Sequence, residues 1–237
     1  MSQLVFIHGN GAGGCADAYH HQRRHFPGSV APDLPGRLGM GARCADIPRY
    51  TEWLRGWLAA QGLHKDLVLV GYTLGAAMAL QYGLDYPDEV QGLVVMSVSA
   101  RPKVHAHGAA DPRVHAAEDP KLYEEWLAMQ RRTMQLVEPE LRERLLERQR
   151  QVGPLTQYHD HMLLRSFDIR DRLATLKPKL LLLRGLRDPG NPPEYEKEIH
   201  QAVPGSRYVT LSDAGHFPAT ECPQEVNALI EEFVAAL

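Results

Sequence analysis

Val68-Leu69-Val70-Gly71-Tyr72-Thr73-Leu74-Gly75-Ala76-Ala77 is the stretch that decides how this chain folds. An apolar run ends at a glycine, a hydroxyl residue follows two positions later, and a second glycine opens a row of small helix-forming residues. That order predicts a buried strand, a sharp turn and a helix. It is the layout of a nucleophile elbow, Gly-x-Ser-x-Gly, in which a tight turn holds a reactive oxygen out of the backbone. Both glycines are required because a Cβ at either place would crowd the turn. Position 73 departs from the pattern by one methyl group. The helix expected from Leu74 aims its N-terminus at the same place, which favours developing negative charge.

Two further motifs converge on this turn. Upstream, Phe6-Ile7-His8-Gly9-Asn10-Gly11 reads as a strand entering a glycine-rich turn. Backbone N–H groups there face a ligand unobstructed, and in acyl transfer one of them stabilises an oxyanion. The N–H of Asn10 is the candidate donor, and the N–H of Leu74 the second. No Gly-Lys-Ser/Thr follows, so a phosphate loop fits less well. Downstream, Asp188 stands in Arg184-Gly185-Leu186-Arg187-Asp188-Pro189 and His216 in Asp213-Ala214-Gly215-His216-Phe217-Pro218. Nucleophile, acid and histidine in that chain order form the hydrolase triad of an α/β sheet. Each candidate lies just past a strand's C-terminal end, where open parallel sheets build their sites.

Around these motifs, short apolar runs alternate with helical patterns, the mark of an α/β fold. Strands are expected at 4–8, 29–31, 67–71, 92–97, 179–184 and 207–211. A doubly wound, mostly parallel sheet of about six strands follows, with strands buried on both faces. Tyr50, Trp53, Leu54, Trp57 and Leu58 form a helical stripe behind Asp46 as N-cap, and Val226, Leu229, Ile230, Phe233 and Val234 form another. About eighty residues between the fourth and fifth strands break the alternation. Leu122, Trp126 and Met129, then Leu141, Leu145 and Leu146, mark helices there, with Pro139 suited to a first turn. The expected division is a core of 1–100 and 171–237 with a helical lid at 101–170.

With these residues in place, the chain resembles the α/β-hydrolase fold superfamily over nearly its whole length. Asp33-Leu34-Pro35-Gly36 is similar to the family's segment after the next strand, and Gly215-His216-Phe217-Pro218 with Glu221-Cys222-Pro223 to its histidine region. The elbow is especially similar to those of small intracellular members: carboxylesterases, proline iminopeptidases and menaquinone-pathway lyases. The resemblance implies Thr73 as nucleophile, Asp188 orienting His216, and His216 as general base and then acid. Two departures stand out. The two usual leading strands are expected to be missing, leaving six, and the nucleophile is threonine. The elbow residue is expected at positive φ, where a β-branched side chain is strained by about 1–3 kcal/mol. The leading expectation is a hydrolase of a small ester, amide or thioester. Three alternatives stay open: a silent hydrolase-fold protein that binds a small ligand, a lyase or C–C bond enzyme in which His216 moves the proton, and a serine hydrolase deliberately changed to threonine.

Composition narrows the partners. A formal charge of −3 without a basic run argues against nucleic acid. No apolar run reaches the roughly 18 residues of a membrane span, and the start lacks the basic lead of a signal peptide. Cys15, Cys44 and Cys222 are few and scattered, which suits reduced thiols in a cytoplasm. The partner expected is a small-molecule substrate, with no cofactor; oligomeric state is not legible. His105/His107 and His159/His161 invite a metal, but side chains two apart on a helix diverge and no ligand set is complete, so no metal is expected. His20, His21 and His25 read as surface residues of the first helix. Arg101, Arg165, Arg170 and Arg172 either meet an acidic substrate or pair with acids such as Asp168 and Asp171, the commoner fate. Trp126 and Met129 either line a pocket or pack within the lid.

Overall fold

Five strands, β1 (Gln3–Ile7), β2 (Leu67–Tyr72), β3 (Val90–Met96), β4 (Lys179–Gly185) and β5 (Arg207–Leu211), lie side by side in that order, every neighbouring pair parallel. The structure is a computed structural model and describes residues 2–103 and 111–237. Successive strand residues point to opposite faces. Val5, Ile7, Leu69, Leu93, Val95 and Leu182 therefore enter one core, while Phe6, Val68, Val70, Val94, Met96 and Leu181 enter the other. Both faces are dry, which is why these strands read as unbroken apolar runs.

Among the described residues ten α-helices accompany the sheet: α1 (His20–His25), α2 (Ile47–Ala59), α3 (Leu74–Asp85), α4 (Pro112–Ala116), α5 (Pro120–Thr133), α6 (Pro139–Val152), α7 (Pro154–Ser166), α8 (Pro193–Ala202), α9 (Pro218–Glu221) and α10 (Pro223–Ala235). The stripe of α2 buries Tyr50, Leu54 and Leu58 in the first core beside Ile199 of α8. Asp46 caps α2, accepting the Arg49 N–H at 2.8 Å. On the opposite face Val226, Ile230 and Phe233 of α10 fill the second core. Helices thus cover both faces, as a doubly wound fold requires.

The expected sixth strand, 29–31, shrinks to one parallel bridge between Val30 and Val5. Phe6 N donates to Val30 O at 2.8 Å and Val30 N to Leu4 O at 3.1 Å, and the ladder stops there. The next residue but one is Pro32, which has no N–H to donate and restricts Ala31 before it.

Helices α4 to α7 lie between β3 and β4, where the sequence indicated a helical insertion, and Pro139 opens α6. Leu164 of α7 joins the first core and Leu141, Leu145 and Leu146 of α6 the second. The His105/His107 pair lies outside the described residues. Among the described residues no helix is long and apolar enough to cross a membrane.

Candidate active site

Thr73 alone turns the chain from β2 into α3. It does so at φ +48° and ψ −113°, a conformation costly for a β-branched residue. The surroundings impose it. Thr73 N donates to Met96 O and Ala77 N to Thr73 O, each at 3.0 Å. A Cβ on Gly71 would lie 2.4 Å from the Gly75 carbonyl, and one on Gly75 only 2.0 Å from Ile7 O. Backbone packed that closely admits no side chain at either position.

The Thr73 hydroxyl oxygen accepts the N–H of Asn10 at 3.2 Å. It fits because Gly9 lacks a Cβ, which would stand 2.1 Å from Oγ1. The N–H of Leu74, first in α3, has no acceptor within its helix. Among the described residues no hydrogen bond joins Thr73 to His216; the hydroxyl is turned to the Asn10 amide instead.

The loop bearing Asn10 is pinned from below. His8 is fully buried, and its Nε2 accepts the Leu34 N–H at 3.0 Å. Its proton is therefore on Nδ1, which donates to Gly9 O at 2.8 Å. Burial, with Arg37 close by, pushes this imidazole well below its usual range, so it stays neutral. Asp33 Oδ1 accepts the Ala16 N–H at 2.7 Å. Arg37 donates to Gly14 O at 3.2 Å and forms a buried ion pair with Asp160 of α7. The Asp33–Arg37 segment (residues 33–37) so links the Asn10 loop to the helical insertion.

Asp188 and His216 meet past the ends of β4 and β5. His216 Nδ1 donates to Asp188 Oδ2 at 2.8 Å, which leaves Nε2 as the acceptor. Burial would raise the Asp188 carboxyl. The His216 hydrogen bond and charge, the Gly190 N–H at 2.8 Å and Arg184 outweigh it and hold the group below the usual carboxylate range. Glu221 braces the histidine loop, accepting N–H groups of Gly215 and Phe217 at 2.6 and 3.2 Å. Burial still pushes its carboxyl up. Ser97 Oγ donates to His216 O at 2.9 Å, and Lys103 Nζ donates to Ser97 O at 3.1 Å.

Asn10, Thr73, Asp188 and His216 all line one cavity of about 510 Å³, with Met129, Leu164 and Phe217 among its apolar walls. Trp126 is not on that wall. Its indole N–H donates to Gln157 Oε1 at 2.8 Å, and its ring packs with Ala116 and Leu127. None of the four arginines flanking the insertion reaches the cavity. Arg101 pairs with Glu198, Arg170 with Asp168 and Arg172 with Asp85, while Arg165 contacts Met162. The cations on the wall are Lys103, Arg113, Arg132 and Arg187. Sequence reasoning missed them; only Arg187, adjacent to Asp188, carried a local signal. His20 and His21 are half-buried and His25 exposed, as surface residues of α1. Among the described residues no three His, Cys, Asp or Glu side chains are grouped to hold a metal, and all three cysteines are free.

Comparison with known proteins agrees with this architecture. A model described as the alpha/beta hydrolase family matches residues 4–229. The AB hydrolase superfamily protein YisY of Bacillus subtilis is 25% identical over 179 residues, covering 71% of this chain and 66% of YisY; the match thus spans just under two thirds of that relative. The pimeloyl-acyl-carrier-protein methyl ester esterase of Aeromonas hydrophila is 28% identical over 215 residues, 85% of this chain and 83% of its own length. A thermophilic esterase from Thermogutta terrifontis shares the fold at a TM-score of 0.80 and 24% identity, covering 100% of this chain and 90% of that one. Matched by the family model from its first strand to its last helix, the chain belongs to the alpha/beta hydrolase family.

Proposed function

We propose that the protein hydrolyses a small carboxylic ester, or the related thioester or amide, through Thr73, His216 and Asp188. One observation carries this reading: a hydroxyl on a strained turn, an oxyanion-type N–H and a ready-made Asp188–His216 pair share one cavity. The hydroxyl first rotates from the Asn10 N–H to a staggered position facing His216. His216 Nε2 takes its proton as Oγ1 attacks the carbonyl carbon, and the carbonyl oxygen enters the space that Oγ1 has left. There the N–H groups of Asn10 and Leu74 receive its negative charge. His216 then gives its proton to the departing alcohol. Water, activated by the same Nε2, releases the acid and restores Thr73. Asp188 fixes the tautomer and stabilises the imidazolium. The helical insertion, which we bound at 101–170, serves as a lid over the 1–100 and 171–237 core. The three free thiols suit a reducing, cytoplasmic setting.

A second reading draws on the hydroxyl's orientation. Since Thr73 is bonded to Asn10 rather than His216, His216 acts directly on water or on a substrate C–H, and Thr73 only positions the substrate. Turnover of short and medium p-nitrophenyl esters by the native protein, Thr73→Ala and Thr73→Ser separates the two. Activity retained in Thr73→Ala selects the second reading; activity lost there and raised in Thr73→Ser selects the first. No turnover in any of the three selects a silent ligand-binding protein.

A further inference from the structure

We propose that the substrate carries a free carboxylate, received inside the cavity by the ammonium of Lys103. The proposal names the substrate class of the site described above, and for catalysis, though not for binding, it rests on the hydrolase reading.

Lys103 lines the cavity and is 6% exposed. An ammonium has three hydrogens to donate, and one goes to Ser97 O at 3.1 Å. Among the described residues no carboxylate lies within ion-pair distance of it. The two acids whose charge acts on it, Glu196 and Asp188, are committed elsewhere. Glu196 is held by Arg184 at 2.9 Å and Asn191 at 2.7 Å, and Asp188 by His216 and the Gly190 N–H, each at 2.8 Å. A buried cation with so little compensation is costly unless a partner arrives. Burial pulls this ammonium down to about 8, with Glu196 and Asp188 opposing, so it is still mostly protonated at neutral pH.

The rest of the wall points the same way. Its cations are Lys103, Arg113, Arg132 and Arg187, against the carboxylates of Asp188 and Glu221. Arg113 pairs with Asp111 and Arg187 with Asp213, while Glu221 is taken up by two backbone N–H groups. Lys103 and the exposed Arg132 remain without an acid partner among the described residues. On the same wall the Asn10 side-chain amide is buried, and its Nδ2 has no acceptor among the described residues. The uncommitted donors of Lys103, Arg132 and Asn10 on one wall match a ligand that only accepts, and a carboxylate accepts up to about four hydrogen bonds. A neutral ester would leave Lys103 uncompensated. The competing role for Lys103 is as a prop for Ser97 and, through it, His216; that role is indifferent to substrate charge.

Monomethyl glutarate and dimethyl glutarate share a chain and differ in one charge. Their hydrolysis by the native protein, Lys103→Met and Lys103→Arg, followed by proton release, separates these roles. We expect the native protein to favour the monoester at least tenfold in kcat/KM, mainly through KM. Lys103→Met should lose that preference and Lys103→Arg keep part of it. Equal use of both esters by the native protein, or equal loss on both in Lys103→Met, overturns the proposal. Calorimetric binding of pentanoate and its neutral counterpart pentanamide keeps it testable if neither ester is cleaved or the Met variant does not fold. Native protein binding pentanoate at least tenfold tighter than pentanamide upholds the carboxylate site whether or not the hydrolase reading stands; equal affinities reject the site.

Discussion

Thr73 Oγ1 accepts the Asn10 amide proton at 3.2 Å, so the hydroxyl rests where the proposed mechanism puts the substrate's carbonyl oxygen. The added methyl restricts the rotation that clears that space. Thr73→Ser removes it and relieves a β-branched residue at φ +48°. Misplacing a reacting atom by about 1 Å costs on the order of a hundredfold in rate. Thr73→Ser is therefore predicted to raise kcat about 10- to 100-fold and to label faster with a fluorophosphonate probe. No gain would mean that the cavity is shaped around the methyl.

Asp188 fixes the proton of His216 on Nδ1 through the 2.8 Å bond. Asp188→Asn preserves shape but favours the wrong tautomer, and kcat should fall roughly 10³- to 10⁴-fold, by analogy with serine-protease triads. Its folded carboxyl lies below the usual range, so its ionisation stabilises the fold above the unfolded value of about 4. That contribution disappears as pH falls through the lower folded value. Urea unfolding of native and Asn proteins from pH 6 to 3 should show the native advantage shrinking toward the acid end.

Lys103 shares the sign of that linkage, but here it is the charged form that the fold penalises. Its folded value near 8 lies below the ordinary 10.5, so between those pH values the unfolded chain binds more protons and native stability rises with pH. At pH 7 the full cost of burying the charge is present. Lys103→Met should be more stable by about 2 kcal/mol at pH 7, allowing about 1.4 kcal/mol for each pH unit and a lost hydrogen bond. The gain should fade by about pH 10. Denaturant unfolding at both pH values checks this, and an unchanged difference would contradict it.

The Arg37–Asp160 ion pair joins the Asn10 loop to α7 with both side chains at most 2% exposed. Asp160→Ala strands the guanidinium and should cost about 3–5 kcal/mol. The double change Arg37→Met/Asp160→Leu, apolar on both sides, should recover most of it. Thermal and urea unfolding of the three proteins provide the comparison.

Much of the fold was legible because each strand is buried on both faces, which prints continuous apolar runs such as Val68-Leu69-Val70 onto the sequence. The stretch at 29–31 misled because propensity does not register that Pro32 ends a ladder. The glycines of the elbow were legible because backbone lies within 2.4 Å of where their Cβ atoms would be. The flanking arginines were set aside for sound local reasons, with Asp168 two residues from Arg170. Lys103 and the Arg37–Asp160 pair were not legible. A lone lysine after a strand and an arginine 123 residues from its acid acquire meaning only from tertiary burial.

Hydrolysis through Thr73 requires that its hydroxyl become acylated. Native protein mixed with a p-nitrophenyl ester, acid-quenched within milliseconds and analysed by peptide mass spectrometry reveals whether it does. One acyl group is expected on the peptide containing Thr73, formed and lost at rates compatible with turnover and absent from Thr73→Ala. Undiminished turnover by Thr73→Ala, with no adduct on the native peptide, would contradict it.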